Sequence, residues 1–585
     1  MPLQTRPELL ADRGVVASTH FLATAAGMAV LETGGLAADA AVATGFALQV
    51  VEPHLNGPGG DVPLLVRPAG ADRPVVVCGQ GVSPAAATIE HYRGLGLDVV
   101  PGTGQLAAVV PGAMGAWLLV LERWGRLRLR EVLEPALSMA ERGWPVQPRV
   151  AGTLHAIEGH LREHWPTSAA TWLLPDRAPR AGERWRWPEL ADMWRALLAA
   201  AVGDGGRTRE QEIEAARAYF YEGPVAQAIA DFSATPVMDT SGVAHTGLLT
   251  LDDLARWRAT VEEPVTLTWQ GWEIAKTGPW GQGPVLLQQL ALLQGLDLAD
   301  TLGAEAVHLV TEVAKLAFAD REAWYADPVD TDVPVQTLLS SRYNDERRRL
   351  LTDAASGELR PGAPDGRQPV LPRYDTGLTV RAPGSGEPTR GDTCHLDVAD
   401  RAGTIISATP SGGWLQSNPT VPGAGFCLGS RAQMFWLDPR VPGRLRPGVR
   451  PRTTLTPSLA RHEDGRWLAW GTPGGDQQDQ WSLLFLLRHT VGGLGLQTAI
   501  DAPAHHSEHM PSSFWPRTAK PRRLVVEDRI GPVAVQELSA RGHDVEVVDG
   551  WSLGRLSAVG IDAGPDGWLR AAANPRGAQG YAAGR

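Results

Sequence analysis

Thr393 stands where two unlike stretches meet. Residues 356–392 behind it are rich in Pro, Gly, Arg and Asp, and have little apolar periodicity. Ahead of it, Thr393-Cys394-His395-Leu396-Asp397-Val398 alternates with the period of a strand. A threonine hydroxyl is a weak nucleophile until a base stands beside it. A threonine that begins a chain carries a base of its own, an α-amine that titrates at about 7.7–8.0 when unperturbed. Before any cut, the same hydroxyl can attack the carbonyl of Asp392 and convert the peptide bond to an ester, which water opens. The reading is that the chain cuts itself between Asp392 and Thr393, and that Thr393 then serves as a nucleophile. A threonine that merely opens a strand has the same local pattern, so the neighbouring elements must supply the rest.

Those elements read as a hairpin. Cys394, Leu396 and Val398 share one strand face, and Thr393, His395 and Asp397 the other. Asp400-Arg401-Ala402-Gly403 reads as a turn in which Gly403 supplies the left-handed residue. Residues 404–409 return as the second strand. If Asp400 pairs with Thr404, the register sets Ser411 opposite Thr393; a one-residue slip sets Pro410 or Gly412 there instead. A second hydroxyl beside the nucleophile is therefore expected, while Cys394 is expected to lie buried on the opposite face. The stretch Arg381-Ala382-Pro383-Gly384-Ser385-Gly386-Glu387-Pro388 reads as loose and would let the two new ends separate. An ordinary surface linker has the same composition.

Several separated stretches, in order along nearly the whole chain, carry a family resemblance. They are Gly14-Val15-Val16-Ala17-Ser18-Thr19-His20, Leu31-Glu32-Thr33-Gly34-Gly35, Gly57-Pro58-Gly59-Gly60-Asp61, Val110-Pro111-Gly112, Ala319-Asp320-Arg321 with Asp327-Pro328, Asp392-Thr393-Cys394-His395, Pro451-Arg452-Thr453-Thr454 and Gly471-Thr472-Pro473-Gly474-Gly475-Asp476. Together they resemble the γ-glutamyltransferases, which are N-terminal-nucleophile hydrolases, and above all their acylase-like bacterial relatives. The resemblance implies an α/β fold, a four-layer αββα sandwich, with a large subunit 1–392 and a small subunit 393–585 cut from one precursor. It implies Thr393 as nucleophile and Ser411 as the second hydroxyl. It implies Thr453 and Thr454 near a substrate carboxylate, and Gly474 and Gly475 as oxyanion-hole donors, each pre-aimed N–H being worth roughly 3 kcal/mol in acyl transfer. The cut pieces are expected to stay together as a heterodimer, itself able to dimerise, acting on a small molecule with no cofactor.

The departures bear on substrate. Family members that take γ-glutamyl groups hold the α-carboxylate with an arginine after a Pro-x-x-Ala-Thr stretch; here Pro84-Ala85-Ala86-Ala87-Thr88 is followed by Ile89. They hold the α-amine with an acid just after a glutamine; here Gln433 is followed by Met434-Phe435-Trp436. An expected asparagine is Gly413, followed by Trp414. A site lined by Ile89, Trp414 and Trp436 is expected to be more apolar, although both tryptophans also suit a core.

The remaining chain narrows the field. The 585 residues, 43% hydrophobic, suffice for one large or two smaller cores. A net charge of −11 without basic runs speaks against a nucleic-acid partner. The start, Met1-Pro2-Leu3-Gln4-Thr5-Arg6, has no apolar signal core and no stretch reaches membrane-spanning length, so a cytoplasmic protein is expected. Three cysteines give no disulfide framework. His505, His506 and His509 around Glu508 lack the spacing of a metal site, and the loops at Gly57 and Gly471 lack the Lys-Ser/Thr of a phosphate cradle. Helices are expected over residues 22–51, 285–296, 304–323, 480–489 and 533–541, with a strand over 264–276.

The function expected is a self-cleaving, threonine-dependent amide hydrolase of acylase type. One alternative is γ-glutamyl transfer or hydrolysis with a rebuilt clamp, drawing on Thr453, Thr454, Gln433 and Arg452. Another is carbon–carbon bond cleavage next to a carbonyl in antibiotic biosynthesis, on the way to alkyl-proline units, as the resemblance suggests for some actinobacterial relatives. The last is an inactive binding protein that keeps the fold.

Overall fold

The hairpin that begins at Thr393 lies within one of two seven-stranded antiparallel sheets. The computed structural model describes residues 4–298, 300–374, 393–564 and 566–585. Asp392, half of the expected cleavage site, therefore lies outside the described residues, as do 375–391.

In the first sheet the order is Tyr581–Gly584, Gly14–Ser18, Leu396–Asp400, Ile405–Ala408, Val62–Arg67, Val75–Gly79 and Thr260–Glu262. In the second it is Leu9–Ala11, Leu569–Ala573, Ser557–Ile561, Trp467–Gly471, Ser458–His462, Trp272–Lys276 and Val265–Trp269. The single strand expected over 264–276 is two strands of this second sheet. Gln270, at φ 49°, and Gly271, at φ 77°, make the two-residue turn between them.

The sheets meet face to face over small and β-branched side chains: Val15, Ala17, Leu65 and Ile405 from one, Leu459, Ala469, Val559 and Ala571 from the other. The outer face of the first sheet is covered by helices Phe21–Glu32 and Ala37–Val51. Every residue of Ala37–Val51 is buried, which explains its run of alanines. A Cβ on Gly27 would come within 2.3 Å of the Thr44 hydroxyl, so the backbone of one helix lies against a side chain of the other. Helices Gly283–Leu293, Ala304–Trp324 and Gln478–Thr490 cover the second sheet. Helix, sheet, sheet, helix is the four-layer αββα sandwich.

The strand that follows Thr393 has neighbours from both parts of the chain. Leu396–Asp400 pairs with Gly14–Ser18 on one side and with Ile405–Ala408 on the other. Residues 356–374 lie along the second core. Gly362 donates to Asp320 at 2.6 Å, while Leu359 and Leu371 pack onto the apolar cluster beneath. No described helix is long and apolar enough to cross a membrane.

Candidate active site

The turn sets the register. Asp400 pairs with Thr404, Gly403 adopts φ 94°, and Leu396 faces Ala408. The count carries on to an isolated bridge between Thr393 and Ser411. Thr393 is 1% exposed, and its Oγ1 lies 3.4 Å from the Ser411 hydroxyl. Both hydroxyls therefore stand at the end of a strand that is pinned along its length.

Ser411 is held in turn by the glycine-rich loop. Its N–H donates to the Asp61 carbonyl at 2.9 Å, and the Asp61 N–H returns to the Ser411 carbonyl at 2.8 Å. A Cβ on Gly60 would fall 2.2 Å from the Ser411 carbonyl, and one on Gly57 would fall 2.5 Å from that of Gly413. Glycine is needed in this loop because backbone lies directly on backbone. The Asp61 carboxylate accepts from Nε of Arg431, at 3.0 Å to each oxygen.

The alternation behind Thr393 assigns its neighbours. Cys394 points toward the helices and is fully buried, its Sγ donating to Glu52 at 3.1 Å and accepting from Asn56 at 3.2 Å. Burial, and then the Glu52 carboxylate, push its thiol well above the ordinary value. His395 and Asp397 point between the sheets. His395 meets Thr409 at 2.9 Å and Asp397 at 3.0 Å, and Asp397 also accepts from Ser407 at 2.7 Å and Ser557 at 2.8 Å.

That network meets the strand that leads into the second glycine loop. A Cβ on Gly471 would lie 2.3 Å from the His395 ring, so the end of Trp467–Gly471 sits directly on it. Residues 472–475 then lead into the helix Gln478–Thr490. Gly474 has φ 130° and Gly475 φ 58°, conformations that leave their N–H groups off the helix ladder. Phe514 packs on Gly475 and also on Trp414, just beyond Ser411. Asp476 is tied to Arg321, and to Ser513 at 2.6 Å. Burial pushes the Asp476 carboxyl up, but these partners hold it below the usual range.

The other residues singled out from the sequence have varied surroundings. Trp414 shares a small cluster with Met434 and Phe514. Ile89 packs in a separate cluster with Tyr92, Leu106 and Phe435. Trp436 is stacked 3.6 Å under the Arg517 guanidinium. Gln433 is fully engaged: it donates to Gly102 and Ser430 and accepts from the Trp515 N–H. Thr453 bridges to Gly281, whereas the buried Thr454 hydroxyl has no partner among the described residues. Arg452 is bound to Glu322 at 2.9 Å and to Ser513 at 3.1 Å. The Asp61–Arg431 pair was not foreseen. Its only signal was an acid directly after the Gly57–Gly60 loop and a lone arginine two residues before Gln433.

Among the described residues, His308, Glu312 and His543 are the one group whose ligand atoms gather within 4.8 Å. His308 and His543 are hydrogen-bonded to each other at 2.9 Å, and Glu312 is paired with the Lys315 ammonium at 2.6 Å. A cation there would have to displace that ammonium.

A family model described as Gamma-glutamyltranspeptidase matches residues 23–584. The chain belongs to the gamma-glutamyltranspeptidase family. It is 32% identical, over 98% of its length and 99% of the relative's, to the oxamate amidohydrolase proenzyme of Klebsiella pneumoniae. Among solved structures, one described as LmbA2991HD is 52% identical with a TM-score of 0.95, covering 100% of both chains. The cephalosporin acylase from Bacillus halodurans is 29% identical with a TM-score of 0.82, over 100% of this chain and 98% of that one. The chain is thus an enzyme of the N-terminal-nucleophile hydrolase type, and its family includes acylases and amidohydrolases.

Proposed function

We propose that this protein is an amidohydrolase that cuts itself between Asp392 and Thr393 and then attacks amide carbonyls through Thr393. The observation that carries this reading is the pinned and buried pair of hydroxyls, Thr393 and Ser411. In maturation the Thr393 hydroxyl adds to the Asp392 carbonyl and the C–N bond breaks. The nitrogen leaves as the new α-amine, and water splits the ester into the Asp392 carboxylate and the free hydroxyl. In turnover that amine takes the hydroxyl proton as the oxygen bonds to the substrate carbonyl, then gives it to the departing amine. The N–H groups of Gly474 and Gly475 serve the tetrahedral oxyanion. Water then releases the acid, and the pieces 1–392 and 393–585 act as one heterodimeric unit.

A γ-glutamyl substrate is supported less well. Ile89 stands where an arginine is needed, and Gln433 and Arg452 are committed to structural partners. Intact mass and N-terminal sequencing of the wild type beside Thr393→Ala test the central claim. Two fragments with Thr393 at the new terminus are expected from the wild type, and one chain from the variant. A wild type that stays whole after long incubation rejects it. A γ-glutamyl anilide is expected to be a poor substrate, and product analysis on β-dicarbonyl acids examines carbon–carbon cleavage by the same nucleophile.

A further inference from the structure

Arg431 holds donors that no described residue meets. Its residue is 2% exposed, and only its Nε is engaged, by Asp61. The two terminal nitrogens, Nη1 and Nη2, are buried without a partner among the described residues. A guanidinium has five N–H groups, so four of them are idle here. Leaving charged donors buried and unmet costs free energy, so such an arrangement is expected where something else meets them. The Trp414 ring lies 5.4 Å from the guanidinium carbon and limits its movement. Asp61 fixes the Nε edge and leaves the buried terminal edge without a hydrogen bond among the described residues, and that edge matches a carboxylate with two parallel hydrogen bonds.

Its place in the fold limits how far that carboxylate lies from the reacting carbonyl. Asp61 is paired through its backbone to Ser411, and the Ser411 hydroxyl is 3.4 Å from Thr393 Oγ1. Asp61 and Ser411 thus link the guanidinium to the nucleophile by direct contacts. Arg517 also has idle N–H groups, but it is fixed by the Gln433 and Phe435 carbonyls and by Trp436, with no such link to Ser411. We propose that Arg431 receives a carboxylate on the acyl group, so that the preferred substrates are amides of short acids with the carboxylate one or two bonds from the attacked carbonyl. Oxalyl amides are the simplest of these, and oxamate, named in the Klebsiella pneumoniae relative, has this form. The inference rests on Thr393 being the nucleophile.

The test compares aniline release from N-phenyl oxamate, an acid, with release from its neutral ethyl ester, using self-cut protein. In Arg431→Met the ratio of kcat/KM, acid over ester, is expected to fall at least 30-fold, with partial return in Arg431→Lys. Equal loss on both substrates in a cut Arg431→Met protein overturns the Arg431 assignment alone. If Arg431→Met affects a γ-glutamyl anilide as strongly as N-phenyl oxamate, the short-acid assignment is overturned. A wild type that stays uncut and inert toward both anilides overturns the Thr393 reading, and this inference with it. Should Arg431→Met fail to fold, wild-type inhibition decides. Oxalate is expected to compete at least 10-fold better than neutral oxamide at pH 7, and equal inhibition overturns the proposal.

Discussion

Thr393 and Cys394 are adjacent, yet the strand sends them to opposite faces. Cys394 is the better intrinsic nucleophile only as a thiolate. Its thiol is fully buried against the Glu52 carboxylate, which opposes ionisation. Iodoacetamide at pH 8 is therefore expected to leave the activity of the native protein unchanged, and Cys394→Ser is expected to cut itself. Rapid alkylation of Cys394 with loss of activity would count against this orientation. Ser411→Ala is expected to slow both cutting and turnover by roughly 100–10,000-fold, the range for losing a positioned proton-handling side chain. Single-turnover kinetics on the cut protein separate the two effects.

The decisive contact between elements joins the two sheets at Gly471. The His395 ring occupies the space a side chain would take, so Gly471→Ala forces the ring or the strand to move. Overpacking of this kind typically costs about 1–3 kcal/mol. The denaturant midpoint should fall accordingly, and the fraction of cut chain should fall with it, because the ring displaced belongs to His395, two residues after Thr393. A Gly471→Ala protein as stable and as fully cut as the wild type would show that the sheets are not in register at this point. Asp397→Ala acts on the same seam. It strips a buried acceptor from His395, Ser407 and Ser557, and a loss of several kcal/mol is expected from the orphaned donors.

Across the whole molecule, the pieces before and after Thr393 share both seven-stranded sheets. Leu396–Asp400 and Ile405–Ala408 lie between strands of the first piece, Gly14–Ser18 and Val62–Arg67. Cut protein should elute from a sizing column as one species and come apart only in denaturant. Stability should also fall in acid, because several histidines are buried in their neutral form. Burial lowers His20, His505 and His543 to about 3, and His160 and His509 to about 4. An unfolded histidine titrates near 6.5, so their stabilisation is complete above about pH 6.5 and is lost as pH falls toward 4. Thermal midpoints measured from pH 7.5 to 4.5 should drop steadily below 6.5. A flat profile there would contradict neutral burial.

The hairpin from Thr393 to Ser411 was legible from the sequence because strand alternation and a glycine turn are local and fix which hydroxyls face each other. The order of the family's motifs gave the sandwich by resemblance, where periodicity alone would not have stacked two sheets. The turn at Gln270-Gly271 escaped notice, although the apolar positions change phase there, from 265, 267 and 269 to 272 and 274. What the tertiary structure decided was which residues meet. Ile89, Trp414 and Trp436 read as one apolar lining, but they pack in different surroundings, since each side chain follows the element that carries it. Asp61 and Arg431 are 370 residues apart, and only the laying of the glycine loop across the Ser411 strand brings them together. A sequence states which charges a chain has; only packing shows which of their hydrogen bonds are already spent.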